Sequence, residues 1–399
     1  MIDSVLISGA GIAGPVLASL LARRGVHVTV VEIADGVRPG GQAVDLRGAG
    51  RTVLDRMGLL DRARALSLQQ EGIAEVDSTG RHLSEMRVSD FGGEGIVSEI
   101  EILRGDLADL LVADSKDHGA EYRFGTRISG LSPAGDQVQV ELDDRSVCLV
   151  DLVVGADGPH SATRKLVFGP EEQFVRPLGG YMAWFTAPEG ESLDGWYAMY
   201  NHPGGLVASQ RPGREDGTAK ASLSFASEPL VFDRHDPDEQ RALLRTRFAG
   251  AGWRTPELLA AADVADDFYL DALVQVHMAE WSRDRVTLIG DAAYCPSPLT
   301  GLGTSLALVG AYILAGEVTS QPDLQVALQR YDELARPYVT TAQELPPGGM
   351  RSFAPNSRLA IWLRIATTRL MVSRPLRPLA RRMFFSKAEA VTLPEYTVD

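Results

Sequence analysis

The sequence predicts an α/β protein in which a parallel-sheet domain carries an inserted antiparallel-sheet domain and a C-terminal helical segment. Three observations predict this architecture. The chain begins with an apolar strand, a glycine-rich turn, a helix and a second strand (5–8, 9–14, 15–24 and 27–31), short strands separated by Pro–Gly turns fill its middle, and a basic helical pattern follows residue 350. Alternating strands and helices favour a parallel sheet, whereas strands joined by tight turns favour an antiparallel one.

Length and composition agree with a globular protein of more than one domain. The chain has 399 residues, of which 45% are hydrophobic and 23% charged. These values exclude a disordered chain, a collagen and a coiled coil. The net charge of -14 argues against a broad, non-specific interaction with nucleic acid.

Cysteine, histidine and leader patterns suggest a soluble cytoplasmic protein. Cys148 and Cys295 make neither a disulfide framework nor a zinc cluster, and the seven histidines lack ligand spacing, so we expect no metal site. The apolar stretch Val5–Ala22 lacks a positive start and is interrupted by glycines, unlike a signal peptide. No uninterrupted apolar run approaches the roughly 20 residues of a membrane helix, so we expect no membrane insertion.

The glycine-rich turn has the spacing of a dinucleotide-binding motif. Gly9 allows a tight turn, Gly11 lets the backbone approach a pyrophosphate, and Gly14 lets the helix pack closely on the strand. Glu32 ends the second strand and can accept hydrogen bonds from a ribose diol. An acid there favours FAD or NAD over NADP. The unit therefore predicts a Rossmann-like dinucleotide-binding domain, the alternative being a glycine-rich turn without a ligand.

Three later segments carry further signals. One places Arg104 at a strand end before an amphipathic helix. A second runs from an apolar strand into Asp157-Gly158, followed by Ser161 and Arg164. A third runs from an apolar strand into Gly290-Asp291 and ends in a helix from Thr304 to about Glu317. Between Asp291 and this helix lie Pro298, Gly301 and Gly303.

In order and spacing, these segments resemble the GxGxxG, DG and GD fingerprints of the class A, single-component, FAD-dependent aromatic-hydroxylase monooxygenases. The resemblance covers residue 1 to about 335. Four strings look closest to the tetracycline-inactivating branch, the tetracycline destructases: 40–48, 102–107, 267–269 and 292–301.

The resemblance implies roles for individual residues. Glu32 would contact the adenosine ribose of FAD, Arg104 its phosphates or ribityl chain, and Asp291 its ribityl chain. Cofactor contacts are also implied for the glycines Gly9, Gly11 and Gly14, for Asp45 and Arg47 near the flavin, for Asp157 (or a turn-forming role), for Pro298, Gly301 and Gly303, and for Arg38 toward the nicotinamide cofactor. Two departures are Ile33-Ala34 after Glu32, where many members have a basic residue, and Tyr294, where many have His.

The resemblance also implies the chemistry. It implies that NADPH or NADH visits as a transient electron donor without a domain of its own, and the absence of a second glycine motif fits this. Oxygen transfer would proceed through a flavin C4a-hydroperoxide, so no catalytic side chain is expected. The helix that begins near Gly303 would stabilise the reduced flavin with its positive N-terminal end.

The middle of the chain predicts the substrate side. Strands at about 180–186, 195–200, 205–210 and 221–225 are followed by an amphipathic helix from Asp236 to Phe248, with Asp236 as its cap. A sheet over the flavin would direct alternate side chains into a pocket, and the candidate lining residues are Met182, Met199, Gln210, Arg211 and Phe225. The alternative is that such residues pack the sheet onto its helix.

We expect a discontinuous FAD-binding domain (1–72, 96–175 and 270–335), a substrate domain (73–95 and 176–269) and a C-terminal segment (336–399). Between Arg351 and Lys387 lie eight arginines and one lysine but no acid. This stretch fits either a membrane surface or acidic surface of its own protein. The resemblance favours a helix over the substrate entrance, hinged at 346–349.

The sequence thus leads to an FAD-dependent monooxygenase that uses NAD(P)H and O2 to hydroxylate a polycyclic aromatic or phenolic molecule, with a tetracycline-type antibiotic or an aromatic polyketide as candidate substrate. One alternative is an FAD-dependent reductase or oxidase on the same fold. The other is a flavoprotein that sequesters a small molecule without turnover. A monomer is expected.

Overall fold

The computed structural model describes residues 2–37, 41–68, 70–91, 100–373, 375–376 and 392–396. Its strands are β1 (Ser4–Ser8), β2 (His27–Glu32), β3 (Ala43–Asp45), β4 (Gly72–Val76), β5 (His82–Arg87), β6 (Glu101–Leu103), β7 (Glu121–Phe124), β8 (Ile128–Ala134), β9 (Gln137–Leu142), β10 (Val147–Val150), β11 (Leu152–Gly155), β12 (Val175–Pro188), β13 (Trp196–His202), β14 (Leu206–Pro212), β15 (Thr218–Ala226), β16 (Tyr269–Val276), β17 (Ser282–Arg283) and β18 (Val286–Leu288).

The α-helices of the described residues are α1 (Ala13–Ala22), α2 (Gly48–Arg56), α3 (Leu60–Ala65), α4 (Arg104–Asp117), α5 (Ala162–Val167), α6 (Pro237–Arg247), α7 (Thr255–Val264), α8 (Asp291–Tyr294), α9 (Gly303–Ser320), α10 (Leu324–Ala342), α11 (Gly349–Phe353) and α12 (Arg358–Met371). Among these helices, none combines the length and the apolar character needed to cross a bilayer.

A mainly parallel sheet forms the first layer, in the strand order β17-β18-β11-β1-β2-β7. The central strand β1 is apolar on both faces because both are covered. Val5 and Ile7 pack into the core formed with α1 and α9. Leu6 points the other way, into a cluster with Val140 of the small β8–β9–β10 sheet. The predicted strand–turn–helix–strand unit is confirmed, with β2 ending at Glu32.

A mainly antiparallel sheet forms the second layer, in the order β16-β12-β15-β14-β13-β4-β5. Two of its strands, β12 and β15, extend past the sequence estimates at both ends, and β12 runs for 14 residues and pairs with both β15 and β16. Side chains alternate across it. Tyr181 and Phe225 lie in the core shared with α6 and α7. Met182 and Met199 lie on the opposite face.

The helix predicted after this sheet is α6, and Asp236 caps it as expected. The Asp236 carboxylate accepts hydrogen bonds from the backbone N–H groups of Asp238 (3.0 Å) and Glu239 (3.1 Å). Pro237 is the first helical residue, where its missing N–H costs nothing. Leu244 of α6 and Phe248, which follows it, pack into the core with residues of this sheet.

The C-terminal segment packs on the protein itself. Arg364 of α12 makes a 2.7 Å ion pair with Glu75 of β4, which is buried. The short helix α11 places Met350 in the apolar cluster that contains Met182 and Met199. The sequence left two interpretations of this basic stretch, binding to a membrane surface or docking on acidic surface of the same protein. For α12, the structure shows docking on an acidic residue of the same chain.

Residues 392–396 return to the first layer. The Tyr396 hydroxyl donates to the buried Glu317 carboxylate of α9 (2.6 Å), and the carbonyl of Pro394 accepts a hydrogen bond from Tyr312 (3.1 Å). Leu393 is buried in the same core. This end of the chain therefore closes over the long apolar helix α9.

Candidate cofactor and substrate site

The glycine turn between β1 and α1 leaves no room for side chains. Gly9 has a φ of 110°, and a Cβ there would overlap the carbonyl oxygen of Ala156. A Cβ on Gly14 would overlap the carbonyl oxygen of Gly9. The absence of side chains therefore lets the turn pack directly against the end of β11 and lead straight into α1, as the spacing of the glycines predicts.

Arg104 lies against this turn. It is the first residue of α4, directly after β6, and its backbone N–H donates to the carbonyl of Gln42 (3.0 Å). A Cβ on Gly11 would lie 3.1 Å from Nη2 of Arg104. The guanidinium is therefore positioned beside the exposed backbone of the glycine turn, where a phosphate would bind.

Asp291 lies close enough to Arg104 for their charges to interact. It begins α8 after Gly290, whose φ is 60° and whose Cβ would lie 3.1 Å from the Cβ of Ala13. Burial raises the pKa of Asp291, and the nearby charge of Arg104 acts in the opposite direction. A Cβ on Gly303, at the start of α9, would lie 4.0 Å from Oδ1 of Asp291. The structure thus brings the first and third motifs together around Arg104.

Glu32 is held at the end of β2 by backbone donors. The N–H of Ala10 donates to Oε2 (2.8 Å) and that of Ala34 to Oε1 (3.0 Å). Each carboxylate oxygen keeps a second lone pair that can accept a hydroxyl. Ile33, which directly follows Glu32, is half exposed and apolar.

Asp45 and Arg47 lie near the start of α9. Nη2 of Arg47 is 2.6 Å from Oδ2 of Asp45, and a Cβ on Gly301 would lie 3.7 Å from the same oxygen. The Ser305 hydroxyl donates to the carbonyl of Arg47 (3.2 Å). Pro298 begins a 3-10 turn, and Gly301 closes it with a φ of 66°. The first turn of α9 contains no acidic residue that would occupy its N–H groups.

Asp157 acts within its own turn. It accepts hydrogen bonds from the Ser161 hydroxyl and from the backbone and hydroxyl of Thr163, both at 2.9 Å. Arg164 is buried and donates to the carbonyls of Ala292 (2.9 Å) and Pro159 (2.6 Å). These contacts match the turn-forming alternative for Asp157 and tie the second motif to the third.

A narrow cavity of about 30 Å³ lies between β3 and the mainly antiparallel sheet, on the side where the sequence predicts substrate binding. Arg211 lines it, with its guanidinium carbon 3.8 Å from the ring centroid of Tyr197. Trp184 stacks on Tyr269 with the ring centroids 5.9 Å apart. Trp184 and Tyr197 also line the cavity, and its remaining lining residues are Gly41, Gln42, Ala43, Phe185, Ser209, Lys220, Ala221 and Ser222.

Two of the residues predicted to line a pocket lie on the wrong face of the sheet. Phe225 is buried against Tyr181, with the ring centroids 5.3 Å apart. Gln210 is buried and accepts a hydrogen bond from Arg254 (2.7 Å), which precedes α7. The prediction is corrected for both, because the strands alternate and these positions face α6 and α7. Met182 and Met199 lie on the cavity-side face, in the cluster with Met350.

Glu101 belongs to this site although sequence reasoning did not single it out. It is 6% exposed, and Nη1 of Arg211 lies 2.9 Å from its Oε1. Burial raises the pKa of Glu101 to about 7; Arg211 opposes the shift and Asp45 adds to it. The available signal was an acid inside the apolar strand that leads to Arg104. Arg38, predicted to contact the nicotinamide cofactor, lies outside the described residues.

Two residues beside the third motif are core residues. Cys295 is buried, and burial raises the pKa of its thiol well above the usual value, which disfavours a reactive thiolate. Tyr294 is 1% exposed and contacts Trp281, with the ring centroids 4.8 Å apart. The tyrosine thus contributes to packing under α9.

The residues present fit FAD. Gly11 leaves the backbone beside Arg104 open, because a Cβ there would obstruct it. Asp291 is a buried carboxyl group, and the nearby positive charge of Arg104 favours its ionised form. Glu32, at the end of β2, can still accept further hydrogen bonds. A pyrophosphate, a polyol chain and a ribose are the groups that such a set of partners binds.

Comparison with known proteins supports this assignment. The model of the family FAD_binding_3, described as an FAD binding domain, matches residues 3–341. An uncharacterized protein of Mycobacterium tuberculosis, Rv1260, is 42% identical over 352 residues, which is 87% of this chain and 94% of that protein. A flavin-dependent monooxygenase from an unknown prokaryotic organism is 39% identical over 339 residues, covering 85% and 87% of the two chains.

Solved structures show the same similarity. The tetracycline destructase Tet(51) superposes with a TM-score of 0.83 at 30% identity, covering 100% of both chains. The tetracycline destructase Tet(55) gives 0.82 at 34% identity, covering 99% of both. The chain therefore belongs to the FAD-binding-domain family FAD_binding_3, and it is a flavin-dependent monooxygenase of the aromatic-hydroxylase type.

Proposed function

We propose that this monooxygenase takes electrons from NADPH or NADH and hydroxylates a polycyclic phenol or enol, with tetracycline-type antibiotics and aromatic polyketides as its substrate class. The observation that carries the proposal is the convergence of Arg104, Asp291 and the start of α9 beneath a sheet face lined by Arg211 and aromatic rings. The similarity to tetracycline destructases over the whole chain supports the choice of substrate class.

Four parts of the chain would hold FAD. The backbone of the glycine turn and Arg104 would bind the pyrophosphate, Glu32 the adenosine ribose, and Asp291 the ribityl chain. The first turn of α9 would lie near the flavin ring and stabilise negative charge on it, because the N-terminal N–H groups of a helix are unpaired and carry a partial positive charge. Bound FAD, once reduced, supplies the oxygen-transfer chemistry.

The remaining task of the protein is to exclude water and to orient the substrate. Met182, Met199 and Met350 form an apolar wall in which the C-terminal segment contacts the sheet. Trp184 and Tyr197 offer flat surfaces for a fused-ring substrate, and Arg211 offers a cation for an ionised phenol or enol. A fixed orientation places one ring carbon within reach of the reacting oxygen.

The test is a substrate screen with three simultaneous readouts. Tetracyclines and aromatic polyketides are added to purified FAD-loaded protein with NADPH or NADH, and NAD(P)H oxidation, oxygen uptake and product mass are followed. We expect an accepted substrate to accelerate both consumption reactions and to yield a product heavier by one oxygen atom. Oxidation of NAD(P)H without oxygen incorporation would indicate the reductase alternative, and binding without any oxidation would indicate a sequestering flavoprotein.

Location and assembly are part of the proposal. Cys148 and Cys295 are both free thiols, which suits a reducing compartment, and we infer a cytoplasmic monomer. Size-exclusion chromatography with light scattering checks the monomer directly.

A further inference from the structure

Two carboxyl groups face each other at the edge of the proposed flavin site. Asp45 on β3 and Glu101 on β6 are directly opposite partners in an antiparallel pair, so their side chains project from the same face. Like charges directly opposite each other are destabilising, and burial increases the cost. Glu101 is 6% exposed, and the Asp45 side chain is 17% exposed.

Within the described part of the chain, an arginine contacts one oxygen of each carboxyl group. Arg47 contacts Oδ2 of Asp45 at 2.6 Å, and Arg211 contacts Oε1 of Glu101 at 2.9 Å. The second oxygens, Oδ1 of Asp45 and Oε2 of Glu101, are buried, and no donor among the described residues reaches them. A buried acceptor without a donor costs about 1–3 kcal/mol. A proton between these two oxygens would satisfy both, one as donor and the other as acceptor.

We propose that Asp45 and Glu101 share one proton, and that this proton gives the cluster of Asp45, Glu101, Arg47 and Arg211 a net positive charge that favours an ionised phenol or enol in the adjoining cavity. The second half of the proposal rests on the proposed function. With the proton, two guanidinium groups face one carboxylate. Without it, two guanidinium groups face two carboxylates and the cluster is neutral.

The surroundings of the cluster set the pH at which the proton is lost. Three charged groups act on Glu101: Asp45 on β3, Arg47 directly before α2, and Arg211 on β14. Tyr197 on β13 contacts Arg211. Farther along the same sheet face, Lys220 is paired with Asp267 at 3.0 Å and adds no net charge. Burial raises the pKa of Glu101 to about 7, so the proton is present below neutrality and is released as the pH rises through this value.

Arg211 transmits this change to the cavity. Its guanidinium group lies between Glu101 and the ring of Tyr197, and both Arg211 and Tyr197 line the cavity. Burial disfavours the guanidinium charge, but Glu101 beside it more than compensates, so the pKa of Arg211 is raised and Arg211 stays charged throughout. Glu101 is therefore a positioning residue that acts through Arg211.

Infrared difference spectroscopy of the holoenzyme tests the shared proton directly. We expect the carbonyl stretch of a protonated carboxylic acid at pH 6, its loss by pH 8.5, and its absence at both values in Glu101→Gln. Glu75→Gln is the matched control, because Glu75 is equally buried but has donors from Arg364 (2.7 Å) and Ser84 (2.6 Å). If the wild-type band is missing at pH 6, or survives Glu101→Gln unchanged, the shared proton is refuted.

Calorimetric titration tests the charge. The probes are 1-hydroxy-2-naphthoate, which is an anion across the pH range, and neutral 2-naphthol. We expect the holoenzyme to bind the anion roughly three- to tenfold more weakly at pH 8.5 than at pH 6, about the effect of one partly screened unit charge, with no change for the neutral probe. Glu101→Gln should keep the tighter affinity at both pH values.

The outcomes separate the two halves of the proposal. A pH dependence of anion binding that is identical in the wild type and Glu101→Gln contradicts the role of the proton in ligand binding. Failure of the anion to bind at either pH contradicts the anionic substrate class. Neither readout requires turnover, so a failure of the proposed oxygen-transfer reaction would appear only in the oxygen-uptake assay.

Discussion

The hydroxyl group of Tyr294 fills the space that a Cβ on Gly310 would occupy. Gly310 lies in the middle of α9, and Tyr294 ends α8 directly below it. The same hydroxyl accepts a hydrogen bond from Tyr331 of α10 (3.1 Å). A glycine inside a buried helix costs helix stability, and here it is required because a tyrosine has to fit beneath the helix.

Gly310→Ala should therefore destabilise the protein by about 2 kcal/mol, since overpacking outweighs the better helix propensity of alanine. Urea unfolding measures the change. Tyr294→Phe removes the obstructing oxygen, while Tyr331 keeps its bond to the carbonyl of Leu288 (3.0 Å). The double variant should recover at least half of the loss. Strictly additive effects would contradict the contact.

Asp291→Ala should yield protein that is largely free of FAD, because the buried carboxylate proposed to bind the ribityl chain is lost. The ratio of flavin to protein absorbance measures the occupancy. The control is Asp323→Ala, which removes the cap of α10, where the carboxylate accepts from the N–H of Gln325 (2.8 Å). That variant should lose about 1 kcal/mol of stability and keep its flavin. Full flavin occupancy in Asp291→Ala would place the ribityl site elsewhere.

Gly11→Ala should weaken FAD binding by roughly tenfold or more while the fold is retained. A Cβ there lies 3.1 Å from the Arg104 guanidinium, displaces it and covers backbone that the pyrophosphate would approach. Fluorescence titration of the apoprotein with FAD gives the dissociation constant. Gly36→Ala is the control, since a Cβ at Gly36 meets no atom within 4 Å. Equal affinities in the two variants would argue against phosphate binding at this turn.

The pH dependence of stability should contain a contribution from His160. Its Nε2 lies 3.1 Å from Asp271 of β16 and its Nδ1 2.9 Å from Glu171. Burial disfavours the imidazolium, but hydrogen bonds to these carboxylates outweigh it and raise the pKa of His160 to about 9. The folded state binds the proton more tightly than the unfolded chain, whose histidine has a pKa of about 6.5.

The stabilisation by His160 is therefore complete below pH 6.5 and is lost as the pH rises through 9. We expect the free energy of unfolding to fall by roughly 2 kcal/mol across this window, after allowance for the partial exposure of the ring. His160→Asn should lack this decline. Parallel curves for the two proteins in urea unfolding at pH 6 to 9.5 would show that His160 does not titrate in this window.

Arg364→Ala should loosen the C-terminal helix. The change leaves Glu75 buried with Ser84 as its one remaining side-chain donor among the residues that the structure describes, at a cost of about 3 kcal/mol, which detachment of α12 can relieve. Hydrogen exchange should become faster in α12 and stay unchanged in α9. Arg358→Ala, at the exposed start of the same helix, is the control. Unchanged protection of α12 would mean that its apolar contacts are sufficient to hold it.

Local patterns were sufficient to predict much of the fold. The βαβ unit ending at Glu32, the helix after Arg104 and the Asp236 cap each depend on a few adjacent residues, and the structure has all three. The choice between the two faces of the inserted sheet was not predictable in this way. A period of two shows that neighbours such as Gln210 and Arg211 face opposite ways, but it does not say which of them faces the helices.

Contacts between distant segments depended on the tertiary structure. Asp45 and Glu101 are opposite partners in a pair of short strands, and nothing in either segment identifies the other. The same holds for Gly310 and Tyr294, which look unrelated in the chain. The sequence by itself determined the family, the glycine turn and the strand–helix–strand unit around it, because adjacent residues encode them. Only the folded chain decided which charges became buried neighbours, because burial and opposition of side chains arise when separate elements pack.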